Sequence, residues 1–404
     1  ASGETVVCNL QTAGNHSVGL KVSDGAHIAE LFRPDFITAR PNILYVKKGN
    51  ANAAFPYDTE EKAAAEIQTA VDAAIDGCTV CLLTDTYTVT APVTVDKGVT
   101  LCGQTGDPDD VVLTCGTKAQ SAVKLNHRLA RIEGVTVTGA TGACAGAIYL
   151  NNLGGTASNC IVRGCVFSGG LNDGAAIYAT SADSLVTHCV VSNNSISTGC
   201  SNSMGRKCAG IVLWSGAKAS NCLVASCKYT DSPNDYSPGG IYAKDSYVYN
   251  CTVVDCVGTA CGGIWSDTSG GIYNSVIAGC NANKKGSGYH SIYSGTSARF
   301  HNCAADTEVI NATCKKDEAN NLFKGYASGN YAPKVGSVLI GNGDPSVSIL
   351  PEKDLAGNAR LSDEGAIDIG AYQSKVEFDV GLKSAGTEFL APCRVKFEAE
   401  VAGV

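Results

Sequence analysis

The chain has 404 residues, a net charge of −8, 17% charged residues, 46 Gly, 20 Cys and a single Met. An acidic balance without a Lys/Arg run argues against a nucleic-acid or anionic-membrane surface, and no apolar stretch reaches the roughly 18 residues of a membrane span. A solenoid core grows linearly, so this length does not demand division into several globular domains.

Residues 1–41 read as a β-rich extension, with strand-like Val6–Leu10 and Val18–Val22. The opening Ala1-Ser2-Gly3-Glu4, without initiator Met or hydrophobic leader, matches the expected start of a secreted product after signal cleavage, or of a trimmed chain. Residues 42–103 read as a helical cap with the first coils. Asp58 or Thr59 is the expected N-cap, Glu60 and Glu61 fall in the first turn, and Ala63, Ile67, Val71 and Ile75 share one face before Gly77. Strands are predicted at Thr79–Leu83, Tyr87–Val89, Val93–Val95 and Val99–Cys102. A lid fits there, because the open end of a solenoid exposes apolar cross-section and strand edges.

Residues 104–373 read as a parallel β-helix with a closing motif, and between residues 145 and 305 one unit repeats six times. One anchor is Asn or His, usually Cys, then an aliphatic pair: Asn159-Cys160, His188-Cys189, Asn221-Cys222, Asn250-Cys251, Asn274-Ser275 and Asn302-Cys303. The other is a small-residue turn into Ile148-Tyr149, Ile177-Tyr178, Ile211-Val212, Ile241-Tyr242, Ile264-Trp265 and Ile292-Tyr293. The first advances by 29, 33, 29, 24 and 28 residues and the second by 29, 34, 30, 23 and 28. Two anchors drifting together mark one supersecondary unit per repeat. Short apolar runs bounded by Gly, Asn, Ser and Asp, with no helical stretch, fit coils of a right-handed parallel β-helix, whose strands stack about 4.8 Å apart. Equivalent side chains then form columns: Cys160, Cys189, Cys222, Cys251 and Ser275, and Cys165, Asn194, Cys227, Cys256 and Cys280. Asn194 is expected to hydrogen-bond within its stack. The columns read as buried thiols, since directly stacked positions suit disulfides poorly. Disulfides are expected at Cys144, Cys200, Cys208, Cys261 and Cys314, consistent with an oxidising compartment.

Residues 374–404 hold two strand-like runs, Val376–Leu382 and Arg394–Val401, around a Pro-containing loop. They are similar to the first strands of a polycystic-kidney-disease-type Ig-like domain. Asn42–Val46, Ile67–Ala74, Tyr87 and Gly98–Leu101 resemble the opening of bacterial secreted β-helix proteins of the pectate-lyase-like superfamily. Asp354-Leu-Ala-Gly-Asn-Ala-Arg360 followed by Ile367–Gln373 resembles the closing motif of choice-of-anchor Q surface proteins. The resemblance spans about residues 42–373 and implies an exported β-helix at a bacterial surface; it does not itself imply catalysis.

Polysaccharide lyases need a carboxylate cluster for calcium and a basic residue nearby. Asp107, Asp109 and Asp110 read instead as a turn, Asp231 and Asp235 as a loop, and Arg128 and Arg131 find no acidic partner in the pattern. His188, in an Asn position, reads as structural. Cys78 and Cys81 have CxxC spacing, but a strand turns the two thiols to opposite faces. No catalytic residue, metal ligand or cofactor is assigned. An aromatic ladder of Tyr149, Tyr178, Tyr242, Trp265 and Tyr293, with Trp214 and Tyr273, is expected on an exposed sheet face, where it is the candidate ligand-binding strip. The resulting expectation is a non-catalytic extracellular structural or adhesive surface protein, able to self-associate through its terminal strands or to engage a glycan or host surface. The alternatives are a polysaccharide lyase or hydrolase and a glycan-binding module.

Overall fold

The computed structural model describes residues 10, 12–116, 121–142, 146–168, 175–196, 208–229, 237–259, 261–283, 291–294, 299–307, 311–362, 364–374, 379–384 and 397–402. The expected strand at Val6–Leu10 and the cysteines Cys144 and Cys200 lie outside the described residues.

Each coil contributes short strands to parallel ladders. In one repeat these are Ile148–Leu150, Gly155–Ser158, Ile161–Arg163 and Val166–Phe167. Every one pairs in parallel with its equivalent in the next coil, for example Ile148 with Ile177 and Val162 with Val191. One ladder holds ten strands, from Asp85–Val89 to Lys315–Lys316. Parallel strands linked around a common core make a parallel β-helix, and at about 4.8 Å per rung ten strands extend about 43 Å.

Both anchors have a physical reason. The Ile column 148, 177, 211, 241, 264 and 292 runs in unbroken register and is buried throughout. The small residues before it are needed because backbones approach there: a Cβ on Gly210 would lie 2.0 Å from the Gly240 carbonyl. The Asn anchor marks a left-handed turn. Asn159, His188, Asn221, Asn250, Asn274 and Asn302 all have φ between 46° and 52°, a region Asn enters more readily than most residues.

The thiol columns sit as expected inside the core. Most of the thiols pack against carbonyls of their own and the preceding coil, as Cys222 does with Ser220 and Val186. Asn194 Oδ1 accepts the Cys165 amide and its Nδ2 donates to the Val162 carbonyl, so it ties two coils through backbone rather than through an amide ladder. Of the cysteines expected in disulfides, Cys208 and Cys314 are free thiols, and both are buried, as is Cys261. Cys208 and Cys261 donate to carbonyls of neighbouring coils, and Cys314 stacks beyond Cys303. They are core positions because their turns pack into the solenoid.

The first helix is shorter than predicted, spanning Ile67–Ala73 with Glu66 as N-cap, and neither Asp58 nor Thr59 caps it. Ala64 is drawn instead into a bridge with Val46, its amide bonding the Tyr45 carbonyl and its carbonyl accepting the Lys47 amide. That pairing competes with helix over 60–66. Ile67, Ala70 and Val71 still enter the core, whereas Ile75 is exposed.

Residues 319–374 return along the outside of the solenoid as a strap. Leu322, Phe323, Leu339 and Ile369 pack on the outward Leu223, Val254, Val276 and Ala304. The closing motif locks the strap. The Asp354 carboxylate accepts the Ala356, Asn358 and Gln373 amides and the Asn358 side chain. Arg360, fully buried, donates to the Asp368 and Gly370 carbonyls, and burial brings its pKa down to about 10.

Candidate functional site

Three outward features could meet a partner: the Asn turn column, the aromatic faces and the chain ends. The Asn column is largely occupied by the strap. Asn221 Nδ2 donates to the Lys353 carbonyl at 2.6 Å, which His188 Nε2 also contacts at 2.9 Å. Asn274 exchanges two bonds with the backbone of Asp344, and Asn302 reaches Asn342. His188 therefore serves the strap, as its structural reading expects.

The aromatic strip differs from its expected exposure. Tyr178 and Tyr242 are each 4% exposed and Trp265 9%. They face away from the Ile column but close with Ala175, Cys208, Val212 and Cys261 into a separate apolar cluster. Tyr149 and Trp214 are half-buried at its edge. Tyr149 meets Tyr178 edge-on at 5.6 Å, Trp214 lies 6.4 Å from Tyr242, and Lys244 stands over the Trp214 ring. The Tyr293 side chain lies outside the described residues. Alternation correctly turned these rings from the core, but outward did not mean solvated.

A second aromatic stack lies one residue before the Asn anchors. Tyr249, Tyr273 and His301 are in register and nearly parallel, at 5.2 and 4.7 Å. Tyr247 stacks on Tyr249 at 6.2 Å, and the Tyr249 hydroxyl meets Ser348 of the strap. Burial raises the pKa of Tyr249 and Tyr273. Only Tyr273 of this stack was among the expected surface aromatics, although the stack is legible as an aromatic directly before Asn250, Asn274 and Asn302.

Asp107, Asp109 and Asp110 behave as a turn, whereas Asp231 and Asp235 lie outside the described residues. Asp107 accepts the Asp109 amide, and Asp109 pairs with Arg163 at 2.9 Å. Arg131, expected without a partner, pairs with Glu133 at 3.2 Å, because residues two apart on a strand share a face. Asp255 accepts the Tyr326 hydroxyl, which fills the space left open at Gly279. Asp306, whose Oδ2 accepts the Gly279 amide, has its pKa raised by burial.

Each chain end forms a ribbon of its own. Gly14–Ser23 and Ile28–Ala39 form an antiparallel ribbon. Leu20, Val22, Ile28, Leu31, Phe32 and Phe36 on it are between 51% and 67% exposed. Asp379–Ser384 and Phe397–Ala402 form a second antiparallel ribbon.

No protein-family model matches the chain, and no curated protein matches it in sequence. Among solved structures it is similar to pectate lyase Pel9A, at 12% identity over 83% of this chain and 97% of that one, with a TM-score of 0.47. It is also similar to ORF18 of Geobacillus virus E2, at 16% identity over 69% and 57%, TM-score 0.34. A PL6 alginate lyase in complex with a trisaccharide follows at 12% identity over 67% and 72%, TM-score 0.30. At these identities the likeness concerns the fold.

Proposed function

We propose that the protein is a non-catalytic extracellular structural element of a bacterial surface, and that copies associate through their terminal strands. The observation that carries this reading is the N-terminal ribbon. A two-stranded ribbon is marginal alone in water, and exposed apolar residues gathered on one such element mark an interaction surface. The solenoid needs no such help, since its columns are buried coil by coil. Two of the carboxylates considered for catalysis are engaged locally, Asp107 in its turn and Asp109 with Arg163. A glycan or host-surface ligand on the Tyr149 strip has less support, because Tyr178, Tyr242 and Trp265 are closed off by their own cluster.

The test is removal of residues 1–41 and, separately, 375–404, followed by light scattering and negative-stain electron microscopy. Loss of assembly in either truncated protein, with the circular-dichroism spectrum of the solenoid retained, supports the reading. Unchanged assembly in both contradicts it.

A further inference from the structure

We infer that Cys81 and Cys102 form a two-thiol site for a soft monovalent cation such as copper(I), held as a linear clip between adjacent rungs near the start of the solenoid. The site lies on the solenoid and draws nothing from the terminal ribbons.

The CxxC spacing of Cys78 and Cys81 does not bring those two thiols together. Cys78 belongs to the core, where its thiol donates to the Pro41 carbonyl at 3.3 Å. The partner of Cys81 comes from the next rung instead. Thr79–Leu82 and Thr100–Gly103 run parallel, and Cys81 stands in register with Cys102. Val80, Leu82 and Leu101 beside them are buried in the core, so alternation turns both thiols to the outer face of the ladder. The two side chains hydrogen-bond to each other. Cys81 is 8% exposed and Cys102 is half-buried, so an ion reaches the pair from solvent. The stacked thiols of the interior differ, since Cys189, Cys222 and Cys251 are wholly buried.

Spacing decides what the pair holds. Equivalent positions on neighbouring rungs are about 4.8 Å apart. A disulfide places its Cβ atoms about 3.8 Å apart, so closing one here means pulling two rungs together. Two thiolate bonds of about 2.3 Å to one d10 ion, laid in line, span about 4.6 Å, which the rungs supply as they stand. The number of ligands points the same way. Glu133 follows Cys102 in the outward column and is engaged with Arg131 at 3.2 Å. Tyr45 precedes Cys81. Glu60, whose charge reaches Cys81, accepts Gln104 Nε2 at 2.7 Å. Among the described residues no group of three or more His, Cys, Asp or Glu is placed to hold a metal ion. Structural zinc takes four ligands, so a lone pair of thiolates selects instead a soft ion satisfied by two. Binding breaks two S–H bonds, forms two copper–sulfur bonds and releases two protons to solvent, with no change of oxidation state.

The test is an anaerobic titration of the full, reduced chain with copper(I) against a chromophoric competitor, beside Cys81→Ser, Cys102→Ser and the double variant. The native chain is expected to take up one more equivalent of copper(I) than the double variant, with a sulfur-to-copper absorption band that the double variant lacks. Each single variant should bind that equivalent about tenfold or more weakly, because one thiolate cannot make the linear pair. Copper(I) should raise the melting temperature of the native chain above that of the double variant, and X-ray absorption should find two sulfur neighbours for the added ion. Both thiols face outward, so the variants should keep the circular-dichroism spectrum of the native chain; Cys81→Ala and Cys102→Ala replace any Ser variant that does not. Equal copper uptake by the native chain and the double variant assigns the metal to other thiols and overturns the inference. Full uptake by either single variant overturns it too, since a lone thiol then suffices. A disulfide between Cys81 and Cys102 found by mass spectrometry in air, with no extra copper taken up once it is reduced, makes the pair a redox couple rather than a metal site.

Discussion

The solenoid and the ribbons use the same strand chemistry and reach opposite ends. In the solenoid every rung buries its aliphatic residues against the rung above and below: Ile211 and Val224 are wholly inaccessible, as are their stacked equivalents Ile241 and Val253. In the N-terminal ribbon Leu20 faces Leu31 across a ladder of similar length, yet both remain more than half exposed. The difference is not propensity but the number of layers. A strand buries its face only when a second surface lies within reach, and the solenoid supplies one by closing on itself. The N-terminal ribbon has no such surface of its own.

That contrast can be broken most sharply by truncating a side chain in each region. Ile241→Ala, in the middle of the Ile column, should cost about 2–5 kcal/mol, because it leaves a cavity in close-packed surroundings. Leu20→Ala should change urea unfolding by less than about 0.5 kcal/mol while weakening self-association. Equal unfolding shifts for the two would show that the ribbon is already buried.

Next in size is the strap. Asp354→Ala removes the acceptor for three amides and one side chain. A loss of about 3 kcal/mol is expected, as for bonds to a buried charged group, together with faster proteolysis within 340–374. An unchanged proteolytic pattern would mean that the strap is held by its apolar contacts alone.

A smaller effect separates buried from accessible thiols. In the native chain Cys102, half-buried although its bond with Cys81 and burial push its pKa up, should alkylate before the wholly buried column thiols by access alone. Cys81, buried beside it in register on the adjacent strand, should come next. The bond from Cys102 lowers the Cys81 pKa, which favours its thiolate. Cys189, Cys227, Cys251 and Cys256, whose pKa values burial and neighbouring thiols push up, should react only on unfolding. Mass spectrometry of peptides after brief iodoacetamide treatment reads the order directly.

The least effect concerns pH. Asp306 has a folded pKa raised above the ordinary 3.8. Its contribution is therefore fully present below that value and is lost as pH rises through the raised one. Asp306→Asn should flatten this part of the melting-temperature profile. A mutant profile parallel to the native one across that window would contradict the assignment.

Much of the solenoid was legible because stacking makes one rung repeat the last. The Ile and thiol columns, their register and the shared drift of the anchors all follow from a translation of about 4.8 Å. The Asn anchor was visible, but its cause, a left-handed turn, emerged only from the backbone. What escaped depends on contacts distant in sequence. The helix lost its first turns to a bridge between Ala64 and Val46. The strap was visible as a motif, yet its seat on Asn221 and Asn274 runs through backbone groups that carry no side-chain signature. The burial of Tyr178, Tyr242 and Trp265 depended on the cluster that closes around them, and alternation along a strand cannot report that.

The most direct measurement of the central claim is hydrogen exchange on the full chain across a concentration series. Amides of the Ile and thiol columns should be equally protected at every concentration, because each coil is sealed by its neighbours. Amides within 14–39 should exchange freely in dilute solution and gain protection as concentration rises. Protection of this ribbon that is the same at all concentrations would contradict the account.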